Sequence, residues 1–246
     1  MSTSALERAE AMEIAQLDAL AERFVHKSWL FHLADAKESA PRPPAGSRVM
    51  MGEDPRLPPM PDAPTLMDFF KLRLSPSHQH LLQSARLARK NGLPGKMVLA
   101  CLLHDIAVTG FIRADHGYWG AQLIEPYVDE EVSWAIRAHQ VIKFFPDEEN
   151  GYEYPESYRV MFGPDYRPAG YVARDYEVAR KHRWYGSALA ICMNDEYAFD
   201  PSVEVALEEF EDVIVDHFRQ PAEGLGNDSS SSAHMWRTLR RPCNAL

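Results

Sequence analysis

Apolar residues recur at helical spacing along most of this chain, and no run alternates for long enough to make a sheet. The opening stretch from Ser4 to Glu38 is rich in Ala, Leu and Glu and predicts one long helix or two. From Ser39 to Pro64 closely spaced prolines exclude regular helix and central strand, so this is a linker or an extended arm lying over the domain. The main domain begins near Thr65. Ser75 as N-cap, Pro76 behind it and Gly92 as a stop frame a first helix. An apolar helix follows from Pro94 through Ala107, including the pair His104–Asp105. Another runs from a cap at Asp115 toward Val128. A fourth, amphipathic, occupies 129–145, with an acidic first turn that suits the helix dipole. The stretch from Pro146 to Gly170 reads as loop, and helical patterning returns from Arg174 through Phe199. A last helix starts at Asp200, with Pro201 behind it.

These elements divide the chain into an N-terminal helical extension (1–38), a proline-rich segment (39–64), an all-α domain (65–220) and a tail (221–246). The tail, "AEGLGNDSSSSAH" at its start, has linker composition and is expected to be mobile. No internal repeat is visible.

Composition narrows the function classes. The 246 residues carry a formal net charge of −10, which argues against a general nucleic-acid or anionic-membrane binder. No apolar run approaches the ~18 residues of a bilayer span, and no secretory h-region follows Met1. Cys101, Cys192 and Cys243 are too few and too scattered for a disulfide framework or a cysteine-rich zinc site. The expectation is a soluble cytoplasmic protein, with Cys101 and Cys192 as small core residues.

One stretch breaks the apolar pattern. In "ACLLHDIAVTG" an imidazole and a carboxylate stand side by side among apolar residues, where ionisable groups belong only if paired or bound to a metal. Other donors lie in similar settings: His80, His116, His139 and Asp195. With His104 and Asp105 they form a set of nitrogen and oxygen donors without thiolates, which suits iron, manganese or zinc. Six donors suffice for two metals with one bridging carboxylate. His78 lies two positions from His80 and points to another face of a helix. His26, His32, His182, His217 and His234 have no partner pattern and read as structural or exposed. Tyr118, Trp119, Tyr127 and Trp134 read as packing.

The order His…His-Asp…His…His…Asp resembles the HD-domain superfamily of helical metal proteins. The closest resemblance is to its mixed-valent di-iron oxygenases, myo-inositol oxygenase and the phosphonate-cleaving HD oxygenases, over roughly Leu66–Phe218. The run "HLLQSA" carries H-x-x-Q-x-A around the first ligand. The run "HGYWGAQL" carries H-x-x-x-G-A around the third. Lys143 in "HQVIK" stands one turn beyond His139, where the phosphonate enzymes have a substrate-contacting lysine. The resemblance implies an HD-domain helical bundle holding two iron ions, with Mn, Co or Zn as other candidates. His80, His104, Asp105 and Asp195 would ligate one ion. Asp105, as bridge, would join His116 and His139 on the other. Lys143 would be a catalytic-site residue.

Departures from the family concern the substrate. Phe70 and Arg73 stand near the places of a Tyr and a Glu that form a lid in the phosphonate enzymes. Val108 replaces a polar contact, with Thr109 the nearest polar side chain, and Cys192 replaces an arginine. The loop Met161–Tyr166 lacks the family's glutamine. Phosphonate and inositol are therefore not carried over. The first functional reading is an oxygenase that uses dioxygen to hydroxylate or cleave a small organic substrate, in which Lys143 pairs with an anionic group. The second is a metal-dependent phosphohydrolase acting on nucleotides or phosphomonoesters. The third is a metal-loaded or degenerate HD domain that binds a ligand or partner, with the N-terminal helix, the proline-rich arm and the tail serving assembly, including that of a homo-oligomer.

Overall fold

The computed structural model describes residues 11, 15, 59–74, 78–107, 115–163 and 165–240. The expectations for the N-terminal extension beyond positions 11 and 15, for the proline-rich segment up to residue 58, for the Ser75–Pro76 cap and for Val108, Thr109 and Cys243 lie outside these residues. The described residues form an all-α bundle, with no strand among them and one isolated bridge between Asp147 and Tyr152. None of their helices is long and apolar enough to cross a membrane.

Ten helices are described: α1 Leu66–Leu72, α2 His78–Lys90, α3 Gly95–Leu103, α4 His116–Ile124, α5 Glu130–Ile142, α6 Glu156–Phe162, α7 Gly170–Ala179, α8 Tyr185–Asp195, α9 Glu211–His217 and α10 Ala233–Arg240. Thr65 opens α1 with a capping box to Asp68, which satisfies two of the helix's otherwise orphaned amides. The Asp129 side chain accepts from the Glu131 amide and opens α5. Gly92 takes φ +75° after α2, a left-handed turn that closes the helix where a side chain would be strained. Helix α3 is buried along its whole face set, from Met97 to Leu103, and packs on α2, α5, α8 and α9. Helix α5 packs on α3, α4, α7 and α8, so α3 and α5 form the centre of the bundle.

Several boundaries differ from the sequence pattern. The apolar helix expected through Ala107 ends at Leu103, with His104 as its C-cap and Asp105 in the following turn. Asp115 holds the N-cap position of α4 as expected, but its side chain makes no capping bond; its backbone is left-handed at φ +54°, and its side chain accepts from the Tyr171 hydroxyl at 3.1 Å. The Pro146–Gly170 stretch, expected as loop, contains α6 and a 3-10 turn at Glu148–Asn150. The helical pattern over Arg174–Phe199 is two helices, α7 and α8, parted by a turn at 180–184. No helix starts at Asp200: residues 203–206 are irregular, and a 3-10 turn at Leu207–Phe210 leads into α9.

The expected mobile tail is corrected over 221–240. Leu225 and Trp236 are fully buried, and α10 lays Ala233, Trp236, Leu239 and Arg240 inward. Trp236 meets Phe69 edge-on at 4.5 Å. The guanidinium of Arg73 donates to the carbonyls of Leu239 and Arg240, and Arg240 donates to that of Asp62. Arg73, the residue near a lid position in the phosphonate enzymes, therefore clamps the C-terminal helix here. Small polar residues hid a packed segment because composition reports nothing of the surface that receives Trp236.

Candidate metal centre

The six donors come from five helix ends. His80 lies in the first turn of α2, His104 caps α3, His116 opens α4, His139 lies in the last turn of α5 and Asp195 ends α8; Asp105 follows His104. Helix termini, rather than helix middles, gather the polar atoms at one place in the bundle. His104 and His139 are fully buried, and Asp195 is 1% exposed.

The donors form two overlapping groups. In the first, His80 Nε2 lies 2.8 Å and His104 Nε2 3.3 Å from Asp195 Oδ1. In the second, Asp105 Oδ1 lies 3.1 Å from His116 Nε2, 3.4 Å from His139 Nε2 and 3.6 Å from His104 Nε2. The other Asp105 oxygen lies 3.8 Å from His80 Nε2, so this carboxylate faces both groups. Within each of the sets His80–His104–Asp195 and His104–Asp105–His139 the ligand atoms lie within 4.8 Å of one another. The structure thus brings all six sequence-predicted donors together, and Asp105 stands between the halves.

Ring orientation carries chemical information. His80 Nδ1 meets the Ala198 carbonyl at 3.1 Å, His104 Nδ1 the Cys101 carbonyl at 2.7 Å and His139 Nδ1 the Ile136 carbonyl at 2.6 Å. A carbonyl only accepts, so each Nδ1 carries a proton and each ring turns its Nε2 inward. His80 Nε2 and His104 Nε2 stand 3.2 Å apart, as do His116 Nε2 and His139 Nε2. Nitrogen atoms packed this closely beside the buried carboxylate oxygens Asp105 Oδ1 and Asp195 Oδ1 call for positive charge between them, while Asp195 Oδ2 takes the Lys143 ammonium. The buried His/Asp groups could hold a metal ion.

Electrostatics agree with that reading. Burial opposes ionisation of Asp195, but Lys143, His104 and His80 hold its carboxyl well below the usual carboxylate range. Asp105 is likewise held low, against burial, by His104 and His116. Burial pushes His139 down to about 4, only partly offset by Asp105, so its ring is neutral and ready to donate a lone pair. Burial also opposes charge on His104, yet Asp105 and Asp195 raise it overall. Lys143 is buried at the C-cap of α5 with its ammonium on Asp195 Oδ2, and that carboxylate overrides burial to keep it charged. The lysine expected to meet substrate is thus engaged with a carboxylate of the donor set.

Around this centre, Phe199 stacks on His80 at 4.1 Å and 16°, and the Cys192 thiol donates to the His139 carbonyl at 3.2 Å. Cys192 is kept a neutral thiol by burial. The sequence did not reveal the carbonyls of Ala198, Cys101 and Ile136 as partners of the rings, because a backbone carbonyl leaves no trace in residue type. His78 is outside the cluster, with its ring 5.8 Å from Phe70. His182 stacks on Trp134 at 3.9 Å. Tyr127 is core, whereas Tyr118 and Trp119, expected as packing, are exposed. No protein-family model matches the sequence, and no curated protein matches it.

Proposed function

We propose that this chain is a dinuclear metal enzyme of HD-domain type, a di-iron oxygenase that hydroxylates or oxidatively cleaves a small organic substrate with dioxygen. The observation that carries the reading is the inward convergence of the Nε2 atoms of His80, His104, His116 and His139 on Asp105 and Asp195. The donors fit the group: all are nitrogen or oxygen, and the Asp105 carboxylate faces both histidine pairs. His80, His104 and Asp195 would hold one ion, His116 and His139 the other, and Asp105 both. Two iron ions held there would supply the binding and reduction of dioxygen.

The chain's own residues shape the rest. Lys143 holds Asp195 Oδ2 and leaves Oδ1 to face the histidines. The carbonyls of Ala198, Cys101 and Ile136 fix three rings in the ligating tautomer. Ile106, Ala138, Ile142 and Cys192, close to the donors in sequence, are all buried.

Metal analysis and electron paramagnetic resonance on anaerobically purified protein test this. The expected result is two irons per chain, a mixed-valent signal after partial reduction and oxygen uptake with substrate. At most one metal per chain after anaerobic iron loading, with no oxygen uptake, overturns it. Hydrolysis of phosphomonoesters without oxygen, in the presence of Mn²⁺, Co²⁺ or Fe²⁺, would assign the centre to phosphohydrolysis instead.

A further inference from the structure

Two glutamines flank His80 on α2, and both reach across to the chain that follows Asp195. The Gln83 amide donates to the carbonyls of Asp200 at 2.7 Å and Val203 at 2.8 Å, and accepts from the Asp200 amide at 2.9 Å. Gln79 donates to the Val205 carbonyl at 3.1 Å and accepts from the Val205 amide at 2.9 Å. Each side chain thus pairs with a backbone residue in both directions, as a neighbouring strand would. These bonds satisfy peptide groups that neither helix nor sheet takes up. They also explain why an Asp-Pro start does not become a helix at Asp200.

The braced segment touches the centre. The Ala198 amide donates to the Asp195 carbonyl at 3.0 Å, the Ala198 carbonyl accepts from His80, and Phe199 stacks on the same ring. Gln83 grips the next residue, Asp200. Gln83 is 7% exposed and uses both its amide donors and its oxygen in this grip. Few buried side chains away from the donors are so fully committed to one strip of backbone.

Resting on the metal-centre reading, we propose that Gln83 is a positioning residue. Its lock on Asp200 fixes the Ala198 carbonyl and the Phe199 ring, and these two aim His80 Nε2 at Asp195 Oδ1. Gln79 braces the same segment farther away, at Val205, and bears on fold stability rather than on His80.

Anaerobic cobalt(II) titration of the full chain, followed by the visible spectrum of the bound ion, tests the assignment. Gln83→Met keeps volume and loses the three bonds; it should weaken the ion at His80 about 10-fold, in the range for residues that orient ligands, and change its spectrum. Gln79→Met should lower thermal stability yet keep the wild-type spectrum and affinity. If Gln83→Met does not fold, Gln83→Glu retains volume and the acceptor for the Asp200 amide and carries the same comparison. Wild-type protein that takes up no cobalt ends the metal-centre reading and this proposal with it. Wild-type protein that loads, alongside a folded Gln83 variant with unchanged affinity and spectrum, overturns the positioning role alone.

Discussion

Gly117 lies against the carbonyl oxygen of Ile136, the same oxygen that meets His139 Nδ1 at 2.6 Å: a methyl group at position 117 would sit 2.7 Å from it. The contact lets α4 approach α5 closely, and the Gly117 amide reinforces it by donating to Gln140 Oε1 at 3.0 Å. His116 opens α4 one residue before this glycine, so the approach sets the His116–His139 pair. Gly117→Ala should push the helices apart, cost about 1–3 kcal/mol of stability by overpacking, and weaken the ion on the His116 side more than the one on the His80 side. Chemical denaturation with stepwise metal titration reads both effects. Unchanged stability and affinity would show that the contact relaxes without cost.

Asp105 is the only carboxylate of the donor set that faces both histidine pairs. If the centre holds two ions as proposed, Asp105→Ala should lower bound metal to at most one per chain. His116→Ala should remove one ion and spare the other, because His116 reaches Asp105 and His139 but lies outside the group of His80, His104 and Asp195. Elemental analysis after anaerobic loading checks both. Two ions retained by Asp105→Ala would exclude a bridge.

The donors were legible in the sequence because ionisable residues in apolar runs are conspicuous, and His80, His104, Asp105, His116, His139 and Asp195 do meet. What the sequence hid follows from long-range packing. Asp200 carries real cap chemistry, since its side chain accepts from the Ser202 amide at 2.9 Å. That local signal loses to Gln79 and Gln83, which lie more than a hundred residues earlier and claim the same backbone. Lys143 was legible as a residue one turn past His139, but not as the partner of Asp195, because the two lie on different helices. Gly117 looked like any small residue until α5 stood beside it.

Glu131 ties three of the donor-bearing helices together at a point away from the donors. Its carboxylate accepts from Lys96 on α3 at 2.7 Å and from Ser187 on α8 at 2.6 Å. Burial opposes its ionisation, but Lys96 and Ser187 outweigh burial and hold its carboxyl below the ordinary value of 4.5. A depressed carboxyl stabilises the fold above its unfolded value, and that contribution fades as pH falls through the folded value. Glu131→Gln should thus cost about 1 kcal/mol near neutral pH, the scale of a partly exposed tie, and the gap to wild type should close below pH 4.5. Urea denaturation at several pH values measures the gap. A difference that persists unchanged in acid would assign the effect to packing rather than charge.

Trp236 decides whether the C-terminal segment belongs to the domain. Its ring is fully buried between Phe69, edge-on at 4.5 Å, and Tyr127 at 6.4 Å. Tyr127 in turn stacks on Phe218 and donates its hydroxyl to Asp228, so the tail is held at two points on the same aromatic residue's neighbourhood. Trp236→Ala should cost about 3–5 kcal/mol, the usual scale for emptying a large aromatic site. In a chain of this size that corresponds to a fall in Tm on the order of 10 °C. Trp236→Phe should cost less, because it keeps the contact with Phe69 and leaves a smaller void. A loosely attached tail would instead tolerate Trp236→Ala within about 0.5 kcal/mol, the range of surface substitutions.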